Sequence, residues 1–105
     1  MPDIGRRVPR LKKSLPFELP DGWAGEVVDL SAVGLKVQSV ALLAEGAVVT
    51  GTLVLPGGSR LVLSGRVIWC KAPDHARHAL AEIGIELVDP PELYLRSLAE
   101  LFADD

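Results

Sequence analysis

Apolar residues recur with a period of two along most of the chain, the signature of half-buried strands. Leu15-Pro16-Phe17-Glu18-Leu19 opens the pattern, with Pro16 suited to an edge or a strand start. Pro20-Asp21-Gly22 is a turn signal, and Ala24 to Leu30, carrying Val27 and Val28, forms the second strand. Asp29-Leu30-Ser31-Ala32-Val33-Gly34 interrupts it, and Leu35 to Ser39 resumes as a third. Ala41 to Ala44 reads as a short helical or irregular turn ending at Glu45-Gly46. Val48 to Leu55 and Arg60 to Lys71 are strands joined by Pro56-Gly57-Gly58-Ser59, a clear hairpin. In the second of these Leu61, Leu63, Val67 and Trp69 share a parity and are expected to face the core. Val62 and Ile68 keep the opposite face from being wholly polar. After a loop over Ala72 to Arg77, His78 to Leu87 is the last strand, with Ile83, Ile85 and Leu87 inward.

The period then changes. Asp89-Pro90-Pro91-Glu92 has the marks of a helix start, with Asp89 as N-cap, a first-turn proline and Glu92 three residues after the cap. Leu95, Leu98 and Phe102 form an apolar stripe that Tyr94 and Leu101 widen. Six short strands and one helix predict an all-β fold with a terminal helix, a small six-stranded antiparallel barrel over residues 15–105 with the helix at about 90–102 covering one opening or side. Residues 1–14 carry Pro2 and Pro9 and no periodicity, so they are expected to form a flexible arm that orders on binding. No internal repeat or linker is visible.

Charge makes that arm distinctive. Arg6, Arg7, Arg10, Lys12 and Lys13 are five of the chain's eleven basic residues, whereas from Ser14 onward six Lys/Arg face thirteen Asp/Glu, a net of −7. An acidic body disfavours nucleic acid and membrane surfaces except through the arm. At 105 residues the chain suits a single domain. Cys70 is the sole cysteine, so no internal disulfide forms and a reducing compartment is the default. The charged N-terminus is not followed by an apolar segment, unlike a secretory signal. The apolar run over residues 40–56 is interrupted at Glu45-Gly46, short of the roughly 20 residues that a membrane span needs. A cytoplasmic protein without membrane insertion is expected.

Two constellations carry chemistry. The first is Arg6-x-x-x-Arg10, with Arg7 inside it. Guanidinium groups pair bidentately with phosphate oxygens, stack on purine faces and donate to the O6/N7 edge of guanine. The second is Asp29-x-Ser31-x-x-Gly34. An ionised Asp can only accept, which suits the N1–H and N2–H donors of guanine. Ser31 can bridge to a phosphate or the same base, or serve as turn chemistry. Gly34 permits a positive φ and a close backbone approach.

Arg6-Arg7-Val8-Pro9-Arg10 together with Asp29 to Gly34 resembles the paired RxxxR and (D/N)xSxxG signature of PilZ domains, bacterial receptors for the second messenger cyclic di-GMP. The resemblance runs along most of the chain. Leu15-Pro16-Phe17 is similar to the family's first strand, and the stretch from Gly46 to Pro56 to its glycine, alternating strand and proline. Gly65-Arg66-Val67-Ile68-Trp69 is similar to its GxVxW strand, and Ile83-Gly84-Ile85-Glu86-Leu87 to its closing strand, with Leu87 where an aromatic is common. The resemblance implies that Arg6 and Arg10 clasp the phosphates and guanines of cyclic di-GMP, that Arg7 assists, and that Asp29, Ser31 and Gly34 form the barrel-side wall. It also implies a stand-alone adaptor, favoured as a monomer, acting on a protein partner in trans, with motility, biofilm or surface-polysaccharide output.

Other chemistry is weaker. His75 and His78 beside Asp74 lack further nearby ligands, and a closed metal site wants about four. No phosphate loop, paired carboxylates or Ser-His-Asp pattern stands out, so neither catalysis nor a cofactor is expected. Two rival readings are a PilZ-like interaction module that needs no ligand and a small-barrel nucleic-acid binder using the arm on backbone phosphates.

Overall fold

A computed structural model of the chain describes residues 9–19, 24–40, 43–77 and 79–104, without the side chains of His75 and Asp104. Among the described residues seven strands occur, β1 (Arg10–Leu11), β2 (Leu15–Glu18), β3 (Ala24–Ser31), β4 (Gly34–Ser39), β5 (Val48–Val54), β6 (Arg60–Lys71) and β7 (Ala81–Leu87). They precede helix α1 (Glu92–Asp104). All pairings are antiparallel, in the order β3-β2-β5-β6-β7-β4, and β4 pairs back onto β3. These six strands close into a barrel, as the alternation predicts.

Strand β1 is the beginning of the same edge as β2. Arg10 and Leu11 stand opposite Ser31 and Leu30, and Leu15 resumes opposite Val27 with the register moved by one residue. Leu11 is buried, which contributes about 1.5–3 kcal/mol toward anchoring this segment. The expectation of a free arm through residue 14 is therefore corrected at its C-terminal end, because Leu11 has apolar surface to bury and β3 has edge groups to pair. Residues 1–8 lie outside the described residues.

The core fills the barrel with Leu15, Phe17, Val27, Leu30, Val37, Leu53 and their inward neighbours on β6 and β7. Ile83, Ile85 and Leu87 point in as expected, and the hairpin between β5 and β6 closes through Leu55 N to Ser59 O at 2.8 Å. The last strand begins at Ala81 rather than His78, after a short 3-10 turn over His75–Arg77 and an isolated bridge between Asp74 and Ala79.

Helix α1 caps the barrel with Tyr94, Leu98 and Leu101. Leu95 is exposed and Phe102 half-buried, so the buried stripe is narrower than the sequence implies. The helix also starts later than expected. The Pro91 carbonyl accepts from Tyr94 N (2.9 Å) and Leu95 N (3.2 Å), while Asp89 lies in the left-handed region at φ 45° and is not the cap.

Two bulges matter more for function than the closure itself. In β3 the register shifts between Val27 and Asp29, and in β6 between Val67 and Trp69. Each inserts one unpaired residue, Val28 or Ile68, and so reverses the inside–outside parity of the residues after it. Without the first, Asp29 would share the inward face of Val27. Without the second, Trp69 would share that of Val67. The expectation that Trp69 faces the core is thereby corrected.

Candidate ligand-binding face

The bulges bring four positions into one row across the outside of the barrel. Asp29 on β3 is opposite Lys36 on β4, Lys36 is opposite Gly84 on β7, and Gly84 is opposite Trp69 on β6. Lys36 points outward because its neighbours Leu35 and Val37 are buried, and Gly84 does so between buried Ile83 and Ile85. The Trp69 indole lies over Gly84, in the space that a β-carbon there would need. Trp69 remains 37% exposed. Lys36 thus stands next to Asp29 in the row, and the aromatic plate lies over Gly84 on the far side of Lys36.

Arg10 joins the row from the other side. Leu11 points into the core, so Arg10 points out, and its Nε donates to Asp29 Oδ1 at 3.1 Å. The basic segment and the β3–β4 turn, separated in sequence, therefore meet through a charge-assisted hydrogen bond. Arg10 is 46% exposed and Asp29 only 13%, so the guanidinium keeps an open side while most of the carboxylate side chain is covered.

Ser31 plays a different part from the surface contact its hydroxyl could offer. It is fully buried. Its Oγ accepts from Val33 N (3.2 Å) and Gly34 N (3.1 Å) and donates to the Gly34 carbonyl at 3.3 Å. The hydroxyl thereby shapes the two-residue connection between β3 and β4. The Val33 carbonyl accepts from Leu87 N at 2.9 Å, fastening the turn to β7. Gly34 is not among the glycines with positive φ. Its requirement is space, since a β-carbon there would lie 2.8 Å from the Ile85 carbonyl oxygen.

Behind the turn, Tyr94 of α1 donates its buried hydroxyl to the Ser31 carbonyl at 2.8 Å. Burial pushes this phenol well above its ordinary value. Beside the turn, Pro9, Ala32, Leu95, Leu98, Ala99 and Phe102 line an almost wholly apolar groove of about 430 Å³.

Of the six candidate residues, Arg10, Asp29, Ser31 and Gly34 are brought together. Arg6 and Arg7 lie outside the described residues. The family model for the PilZ domain matches residues 5–104, and so includes both the basic segment and the turn. The chain belongs to the PilZ domain family. A search of curated proteins finds no match. PilZ domains bind cyclic di-GMP as their ligand rather than catalysing a reaction.

In this PilZ domain, Lys36 and Trp69 share the outer row with Asp29 and Tyr94 lies behind the turn, three placements that the sequence does not reveal. For Trp69 the signal was present in the pairing of an exposed-strand tryptophan with a glycine, but only the bulge makes it readable. Among the described residues no group of three His, Cys, Asp or Glu could hold a metal ion, and no helix is long and apolar enough to cross a membrane. His78 lies outside the described residues.

Proposed function

We propose that this PilZ domain binds cyclic di-GMP on the outer face that carries Arg10, Asp29, Lys36 and Trp69. The observation that supports the reading is the Arg10–Asp29 hydrogen bond, because a guanidinium is suited to phosphate and the carboxylate beside it is suited to accept from guanine. Asp29 reads the N1–H and N2–H edge of one guanine. Arg10 turns its open side to a phosphate or to the guanine O6/N7 edge. Trp69 offers a face on which a purine stacks, and Lys36 offsets phosphate charge. Ser31 and Gly34 contribute by shaping the wall.

Arg6 stands four residues before Arg10, a reach of at most about 14 Å when extended, so its side chain can close over a ligand seated on Asp29. Arg7 assists. Binding a dianionic ligand relieves the repulsion among the three arginines and draws the segment onto the barrel. The composite surface so formed acts on a protein partner in trans, with motility, biofilm or surface-polysaccharide machinery as the output. A preference for guanine would set this reading apart from a nucleic-acid binder, and a need for the nucleotide would set it apart from a ligand-independent module.

Titration of wild-type and Asp29→Ala protein with cyclic di-GMP and cyclic di-AMP tests the assignment. The variant should lose preference for the guanine ligand more than it loses overall affinity. Equal losses for both nucleotides would contradict the role given to Asp29.

A further inference from the structure

We infer that Tyr94 is a positioning residue for the nucleotide site, acting through Ser31 from the opposite side of the binding wall. The inference rests on the site proposed above and extends it to a residue on a different element. Tyr94 is 1% exposed and lies on the inner face of α1, so no ligand on the outer face can touch it. Its hydroxyl nevertheless ends on the carbonyl of Ser31, the residue whose side chain organises the β3–β4 turn.

The load path is short. The Ser31 hydroxyl fixes the amides of Val33 and Gly34, and the Ser31 backbone lies opposite Arg10 in the β1–β3 pairing. Two residues before it is Asp29, which holds Arg10. A displacement of the Ser31 carbonyl therefore moves both the turn and the arginine–carboxylate pair. A phenol supplies this hold well, because its rigid ring is packed by the core and only its tip is polar. The hydrogen bond spans 63 residues of sequence and ties the last element of the fold to the signature turn.

Coupling of this kind works in both directions. A nucleotide that tightens the turn also tightens the seat of α1. A change that moves the Tyr94 hydroxyl off the Ser31 carbonyl changes the affinity for the nucleotide.

The test compares wild type with Tyr94→Phe, which keeps the ring and removes the hydroxyl, and with Leu101→Ala, which loosens the far end of α1 but spares the hydrogen bond. Wild type is titrated first with cyclic di-GMP, and absence of binding there would defeat the site itself rather than this inference. Given wild-type binding, Tyr94→Phe should weaken it by about fivefold to tenfold. The amide resonances of Val33 and Gly34 in the free protein should shift as well. Leu101→Ala should melt earlier yet bind like wild type where it is folded. Unchanged affinity in Tyr94→Phe, or an equal loss in Leu101→Ala, would overturn the inference. A measurement on wild type alone guards against a variant that fails to fold. Cyclic di-GMP should shift the ring resonances of Tyr94, the chain's single tyrosine, and their remaining fixed at saturation would also overturn it.

Discussion

Arg10 and Asp29 are 19 residues apart in sequence and joined at 3.1 Å on the outer face of the barrel. The contact depends on two opposite placements in β1, with Arg10 outside and Leu11 in the core. It depends equally on the bulge at Val28, which turns Asp29 outward while leaving both Val27 and Leu30 buried. The arrangement separates what holds the segment from what the segment does.

That separation predicts different outcomes for neighbouring substitutions. Arg10→Ala removes an exposed ion pair and should change stability by no more than about 1 kcal/mol. It should cost about 2 kcal/mol or more in cyclic di-GMP binding, roughly thirtyfold. Leu11→Ala empties a core position and should cost about 2–5 kcal/mol of stability. Denaturant melts and titrations on the two variants check the contrast.

Gly34→Ala should destabilise by about 1–3 kcal/mol, because its β-carbon must push against the Ile85 carbonyl backbone rather than a yielding side chain. The measurement is chemical denaturation. A variant as stable as wild type would show that β4 and β7 separate without cost at this point.

Trp69→Ala should leave the barrel folded and weaken nucleotide binding, whereas Trp69→Phe should retain part of the affinity by keeping a stacking face. Gly84→Val should act like Trp69→Ala in binding, since its side chain occupies the place of the indole. Equal affinity in all three would remove Trp69 from the site.

Tyr94 predicts a pH dependence of known sign. Its burial raises the folded phenol above the ordinary value of 10.0. Below about pH 10 both folded and unfolded chains keep the proton, and the group adds no slope. Above it the unfolded chain releases the proton while the folded chain holds it, so stability falls as pH rises. The stability difference between wild type and Tyr94→Phe should be constant up to about pH 10 and shift against wild type beyond it. Denaturant melts across the alkaline range check this, and a constant difference throughout would contradict the burial argument.

Much of the fold was legible because alternation and turn chemistry agree. The strand from Arg60 to Lys71 and the hairpin before it occur where Pro56-Gly57-Gly58-Ser59 and the apolar parity predict. A bulge is one extra residue and leaves no mark in an apolar run, so parity placed Trp69 inside and said nothing of its stacking on Gly84. Asp89 failed as a cap because the two following prolines move the first helical carbonyl to Pro91. Gly34 permits both a positive φ and a close backbone approach; its φ is not positive, and the group that approaches, the Ile85 carbonyl, comes from a distant strand that only the barrel's closure brings near. Asp29 and Arg10 could be paired in sequence through a motif resemblance, but their hydrogen bond required the register of β1 on β3.

Calorimetric titration of the folded wild-type protein with cyclic di-GMP, GMP and cyclic di-AMP tests the central claim most directly. The account predicts saturable binding of cyclic di-GMP that neither GMP nor cyclic di-AMP matches. Absence of binding, or equal binding of all three nucleotides, would contradict it.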